Sequence, residues 1–310
     1  MPQHDAVEIT VGANPERLVA FANRLYVAVQ STPQVKIIDT DGNTLSGAID
    51  VGGAPWWMAF VDIGTTAAPD PKLFVRDGND FGITVLNLAL LDVPATHIAA
   101  DPMGGVPVSG GEMAASNRSA GVYLLDQLNT RLQVLDAQTS QVIEQIELGH
   151  TQRRLAVSAD GSRVYVTHPD DSLISVIDPT VFPAAITRWH VPTHPFDVTV
   201  TPRGDRLYAT YFVANDAGLL QVIDSATGQA SSVDVGANPT AVVGDDSRAY
   251  VSCAGDHRID IVDTTTIPPR LIEQIPVNGS PSYLAFSADG STLYAGNFTD
   301  PAVTATSLRP

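Results

Sequence analysis

The sequence predicts an all-β protein, a seven-bladed β-propeller of four-stranded antiparallel blades whose ring is closed by the N-terminal strand in the last blade. Three observations predict it. A Val-Gly-x-x-Pro element recurs as VGANP at Val11 and Val235, VGGAP at Val51, VPTHP at Val191 and VNGSP at Val277, with LGHTQ at Leu148 as a weaker copy. An aromatic residue recurs in step with it, at Tyr26, Phe74, Tyr123, Tyr165, Tyr208, Tyr250 and Tyr294, and Val/Ile-rich runs such as KIID, QVLD, SVID, QVID and DIVD follow. The period is about 43 residues, the length of a four-stranded blade. Finally, the apolar runs are short, rich in Val, Ile, Leu and Tyr, and separated by Asp, Gly, Asn, Pro and Ser clusters, which is the pattern of strands and tight turns rather than helices.

The elements follow in order. Residues 1–10 have strand character but precede the first repeat, while the last repeat, 277–310, stops after three strands. The N-terminal strand is therefore expected to supply the missing outer strand of the last blade and remove its open edge. The blades between are 11–50, 51–99 with the insertion GTTAAPDPK, 100–147, 148–190, 191–234 and 235–276. No composition shift or linker divides the chain, so one domain, 1–310, is expected. The third blade opens with ADPMGGVPVSGGE, too rich in Gly and Pro for regular structure and expected to lie as a flap over the top face. SADGS at Ser158 and Ser287 reads as a turn on the opposite face, and Asp39, Asp136, Asp178, Asp224 and Asp263 recur at one repeat position as turn formers.

Composition narrows the partners. The formal charge is −17, with 28 Asp, 6 Glu, 15 Arg and only 2 Lys, and there is no basic run to neutralise phosphates. Nucleic acid and membrane partners are excluded on that ground, leaving a small-molecule substrate or ligand. A single cysteine, Cys253, rules out an intrachain disulfide framework and a multi-thiolate metal site. The start, MPQHDAVEITV, has no leader pattern and no stretch is long enough to span a membrane, so a cytoplasmic monomer is expected.

YVTH at Tyr165, YAGN at Tyr294, and the VGANP and SADGS elements resemble the YVTN-type seven-bladed propellers, related to lactonase-like and surface-layer-type propellers. The resemblance spans essentially the whole chain. It implies the fold and leaves the activity open, because this fold carries lactonases, lyases, binding modules and structural repeats. The full YVTN tetrapeptide itself does not occur.

Candidate site residues come from comparing repeats with one another. Positions that only build blades should stay alike, so positions that change chemistry mark the site. The residue before the inner-strand apolar run is Arg17, Trp57, Glu112, Arg154, Asp197, Ala241 and Tyr283 in blades one to seven. The fourth residue of the YVTN-like element is Val29, Asp77, Asp126, His168, Tyr211, Cys253 and Asn297. Both sets are expected at the top face near the axis. His168, Asp126 and Glu112 are the candidate proton-moving groups. Arg17, Trp57, Asp77, Arg154, His194, Asp197, Tyr211, Cys253, Tyr283 and Asn297 are the candidate substrate-binding residues, in a pocket with one aromatic wall and a few convergent charges. Trp56 and Trp57 are adjacent in a strand and cannot both point inward. Cys253 with His257 has the residue types of a nucleophile and its base, although a small buried Cys is the commoner case.

No cofactor is indicated. A divalent metal remains an alternative, with His168, His194, Glu112, Asp126 and Asp197 as available ligands but no spacing that fixes a site. Two function classes follow. The favoured one is an enzyme doing acid–base chemistry on a small molecule, a lyase, cyclase, isomerase or lactone-type hydrolase. The other is a non-catalytic propeller binding a protein or ligand across its top face. In the first, Arg154 and His168 converge on one patch of pocket wall, and losing either is expected to change folding stability little.

Overall fold

The computed structural model describes residues 5–65, 67–90, 95–100, 111–213 and 217–308. Among them the strands form seven four-stranded antiparallel sheets. The inner strands are Pro15–Phe21, Pro55–Asp62, Met113–Ser116, Leu155–Val157, Pro195–Val200, Pro239–Gly244 and Pro281–Phe286. Each touches the inner strands of both neighbouring blades, so the sheets close into a ring around an axis. The second strands, Arg24–Val29, Pro71–Asp77, Gly121–Asp126, Val164–His168, Arg206–Phe212, Arg248–Cys253 and Thr292–Asn297, lie one strand further out.

The ring closes as the incomplete last repeat predicts. Ala6–Thr10 pairs with Ala302–Ser307, from Ala6 against Thr306 to Thr10 against Ala302. A polar chain crosses the closing sheet: Asn297 Nδ2 donates to Thr304 Oγ1 at 3.0 Å, and that hydroxyl donates to Glu8 Oε1 at 2.8 Å.

Apolar residues are buried chiefly between blades. Gly121–Asp126 is buried at every position, because adjacent blades cover both faces of the sheet, and so it shows no alternation. The recurrent Tyr26, Phe74, Tyr123, Tyr165, Tyr208, Tyr250 and Tyr294 are all buried. Turn chemistry is local and repeats with them. Asp39, Asp136, Asp178, Asp224 and Asp263 each accept the N–H two residues on. In the SADGS turns, Ser158 Oγ and Ser287 Oγ donate to Asp160 and Asp289, which accept from Ser162 N–H and Ser291 N–H.

One feature of the inner strand recurs and sets the site. In blades one, two, five, six and seven an extra residue is inserted just after the proline, so that the ladder slips between Pro15 and Leu18, Pro55 and Trp57, Pro195 and Val198, Pro239 and Ala241, and Pro281 and Tyr283. Such a bulge leaves an inner-strand N–H without its ladder partner. The third residue of the YVTN-like element supplies that partner in blades five and six, where Asp197 N–H donates to Thr210 Oγ1 at 3.2 Å and Ala241 N–H to Ser252 Oγ at 2.8 Å. Blade four has the same bond, from Arg154 N–H to Thr167 Oγ1 at 3.1 Å.

Candidate functional site

The bulge changes which side chains reach the axis. A regular strand would send alternate residues to opposite faces, whereas the inserted residue lets two consecutive ones contribute. In blade one both Glu16 and Arg17 take part, and in blade five both Phe196 and Asp197 do.

These residues form one cluster. Arg17 Nη1 pairs with Glu112 Oε1 at 2.8 Å, joining blades one and three. Arg154, 8% exposed, has its guanidinium carbon 4.6 Å from the Trp57 ring centroid, 5.5 Å from that of Tyr283 and 5.8 Å from that of Phe196. Its Nη2 donates to Tyr283 Oη at 3.4 Å and its Nε lies 3.9 Å from Asp197 Oδ1. Tyr283 also lies close enough to Glu16 for the two to shift each other's protonation, and its ring meets Trp57 edge-on at 6.1 Å. Blade six contributes only Ala241, and beside it lies an axial cavity of about 230 Å³. Arg17, Glu112, Asp197 and Tyr283 line the cavity together with the apolar Val157, Val200 and Val243 further along the inner strands.

Burial dominates the electrostatics. It pushes the Asp197 carboxyl above the usual range, against the opposing pull of Arg154 and of the Val242 N–H that donates to Asp197 Oδ2 at 2.9 Å. Burial likewise raises Glu16, opposed by Tyr283 and Arg154, and raises the Tyr283 phenol to about 12. For Arg154, burial acts downward, but Glu112, Tyr283 and Asp197 outweigh it and hold the guanidinium above its ordinary value. The carboxylates also serve the fold: Glu112 Oε2 accepts from Leu155 N–H at 2.8 Å, as Asp197 does from Val242, each reaching the inner strand of the next blade.

The inner-strand set, Arg17, Trp57, Glu112, Arg154, Asp197 and Tyr283, is thus brought together, but the second set is not. This corrects the expected convergence of His168 and Arg154. His168 is fully buried, with Nδ1 2.8 Å from the Thr151 carbonyl and Nε2 2.9 Å from Ser175 Oγ, and burial lowers its pKa. Asp126, also fully buried, is held by Arg131 at 3.1 and 3.0 Å and by Asn129. The physical reason is position. A second strand lies one strand out from the axis, where its side chains meet the adjacent blade or their own sheet.

The other members of that set have comparable surroundings. Asp77 accepts the N–H groups of Asn79 and Asp80 in its own turn. Asn297 belongs to the ring-closing polar chain, and Tyr211 is buried against the blade-five cluster. Cys253 is buried with its thiol pKa pushed up by burial, while His257 turns to the Gly279 carbonyl at 2.6 Å. His194 is exposed, its Nδ1 3.2 Å from Thr193 Oγ1. Trp57 enters the cluster, whereas Trp56 is 38% exposed and lies over Gly78, where a Cβ would come within 2.3 Å of its ring.

Sequence comparison misses Glu16, Arg153 and Phe196, because each stands one residue before the single inner-strand position that the repeats single out. For Glu16 and Phe196 the signal available was the Pro-x-x spacing ahead of the apolar runs of blades one, two, five, six and seven; blades three and four lack the proline, and nothing of the kind marks Arg153. Among the described residues no group of three or more His, Cys, Asp or Glu is arranged to hold a metal, and no helix is long and apolar enough to cross a membrane. Of the expected flap, 100–112, residues 101–110 lie outside the described residues.

No family model and no curated protein matches the sequence. Among solved structures, the chain is similar to hydrazine synthase of Kuenenia stuttgartiensis, with TM-score 0.77, 17% identity and 96% of each chain covered. It is similar to virginiamycin B lyase from Staphylococcus aureus, with TM-score 0.77, 12% identity, and 99% of this chain and 100% of that chain covered. It is also similar to a chain of the mitotic checkpoint complex, with TM-score 0.76, 13% identity, and coverage of 99% and 91%. At these identities the likeness is one of fold, and it is the seven-bladed propeller.

Proposed function

We propose that this protein is a small-molecule enzyme that moves a proton at the axial cluster, in a reaction of the lyase, cyclase, isomerase or lactone-hydrolase type. The observation that carries the reading is Asp197, a carboxyl raised by burial, lining the axial cavity and 3.9 Å from the guanidinium of Arg154. A general base works best when its affinity for protons approaches that of the medium, and burial moves a carboxyl in that direction. In this reading Asp197 exchanges the proton and Tyr283 stays protonated as a hydrogen-bond donor. Arg154 orients both and stabilises negative charge that develops beside it. The two enzymes among the similar structures support an enzyme on this fold, and the VGANP, SADGS and YVTH elements support a YVTN-type kinship.

A second reading is a non-catalytic propeller that binds across its top face. The bonds from Leu155 and Val242 N–H to Glu112 and Asp197 favour it, because they give both carboxylates a structural duty. Asp197→Asn separates the two, since the amide oxygen still accepts from Val242 N–H. Turnover is to be screened on a panel of lactones, enolisable acids and unsaturated carboxylates. The enzyme reading expects a loss of about 100-fold or more in the variant. Undiminished turnover in the variant, or none by the wild type on any member, leaves the binding reading.

A further inference from the structure

We propose that Arg153, with the Phe196–Phe212 ring pair, forms an anion subsite at the mouth of the axial cluster that receives a planar organic monocarboxylate. This rests on reading the axial cluster as a small-molecule site, and it supplies the substrate class.

Two consecutive arginines meet one ring. The guanidinium carbon of Arg153 lies 3.8 Å from the Phe196 centroid, and that of Arg154 lies 5.8 Å from the same centroid. Their surroundings differ. Arg154 has Asp197 and Tyr283, whereas among the described residues no acceptor bonds the Arg153 guanidinium, although its backbone is fixed by the bond from its N–H to the Thr167 carbonyl at 3.0 Å. Elsewhere Arg17, Arg131, Arg163, Arg203 and Arg258 each pair with a carboxylate. Arg153 is exposed and feels Asp197 and Glu112 only at a distance, so its guanidinium is set beside another and over a ring without a direct carboxylate partner among the described residues. Stacking leaves the edge of the guanidinium, with its forked N–H groups, open to a carboxylate. Desolvation against its neighbours and the charge of Arg154 lower the Arg153 pKa, against the opposing pull of Tyr283, Asp197 and Glu112, and a bound anion would relieve the repulsion between the two guanidinium groups.

The same geometry selects the ligand. Phe212 lies 4.4 Å from Phe196, centroid to centroid, so a flat apolar body has a surface to rest on beside the charge. Glu16, Glu112 and Asp197 lie in the adjoining cluster, and the whole chain is strongly acidic, so a monoanion is favoured over a dianion.

The test titrates the full-length protein with benzoate by calorimetry, using benzamide as the neutral isostere and phenyl phosphate as the dianion. Arg153→Met keeps length and ring contact without the charge, with Arg153→Gln as a second variant if the first does not fold. Saturable benzoate binding is expected, weakened by about tenfold or more in either variant, with benzamide weaker by a similar factor and phenyl phosphate no tighter. The proposal is overturned if the wild type shows no saturable benzoate binding, if either folded variant binds benzoate within about twofold of wild type, or if benzamide matches benzoate. Failure here is distinct from failure of the enzyme reading. Turnover that depends on Asp197 while benzoate binding ignores Arg153 removes only the subsite. Benzoate binding that depends on Arg153 in a protein without turnover removes only the enzyme.

Discussion

The Arg154 guanidinium lies 4.6 Å over the Trp57 ring, tying blade four to blade two across the axis. Arg17 and Glu112 tie blade one to blade three in the same way. Tyr283 of blade seven meets both Arg154 and Trp57, so contacts between non-adjacent blades brace the ring from within. Arg154→Ala removes the brace and leaves the Asp197 carboxylate beside a void. The expected cost is about 3 to 5 kcal/mol, the range for breaking a buried charge pair, measured by urea denaturation. Arg154→Lys should recover little of it, since an ammonium reproduces neither the stack nor the fork. A loss below about 1 kcal/mol for the alanine variant would show that the cluster does not brace the fold.

Asp197 gives a pH signature. Its folded value is raised above the ordinary 3.8, so the stability it carries is complete below that value and is lost as pH rises through the raised one. Asp197→Asn does not titrate. The variant should therefore gain on the wild type between about pH 4 and neutrality, on the order of 1 kcal/mol or more. Parallel pH–stability curves for the two proteins would contradict the raised value.

His168 has the opposite sign. Its folded value is lowered below 6.5, so its contribution is present above the unfolded value and is lost as pH falls through the folded one. His168→Ala abandons two ring bonds and opens a hole in a fully buried position, at an expected cost of about 2 to 4 kcal/mol at neutral pH. That penalty should shrink on acidification. A neutral-pH melting temperature equal to that of the wild type is the result that would discount this placement.

Ring closure rests on Ala6–Thr10. Deleting residues 1–10 strips the partner from Ala302–Ser307 and removes Glu8 from the Thr304 hydroxyl. The truncated protein should aggregate or melt well below the full chain, as judged by size-exclusion chromatography and thermal unfolding, because an unpaired strand edge invites association. A soluble monomer with an unchanged melting temperature would refute the closure.

The repeat made the propeller legible in the sequence because its signals are local. The period, the turn aspartates, the apolar runs and the incomplete last copy need no knowledge of distant residues, and the pairing of Ala6–Thr10 with Ala302–Ser307 follows from the strand that the last repeat lacks. Half of the candidate site residues were legible as a cluster too: Arg17, Trp57, Glu112, Arg154, Asp197 and Tyr283 do meet at the axis. Tertiary structure alone decided the rest. Chemical variety at the second position comes from different ways of satisfying buried strand ends, as His168 does with Thr151 and Ser175, and Asp126 with Arg131 and Asn129. Glu16 and Phe196 join the cluster through a bulge, and a bulge is a property of cross-strand register. Register depends on which residues oppose one another across a sheet, and that is fixed only when the blade has formed.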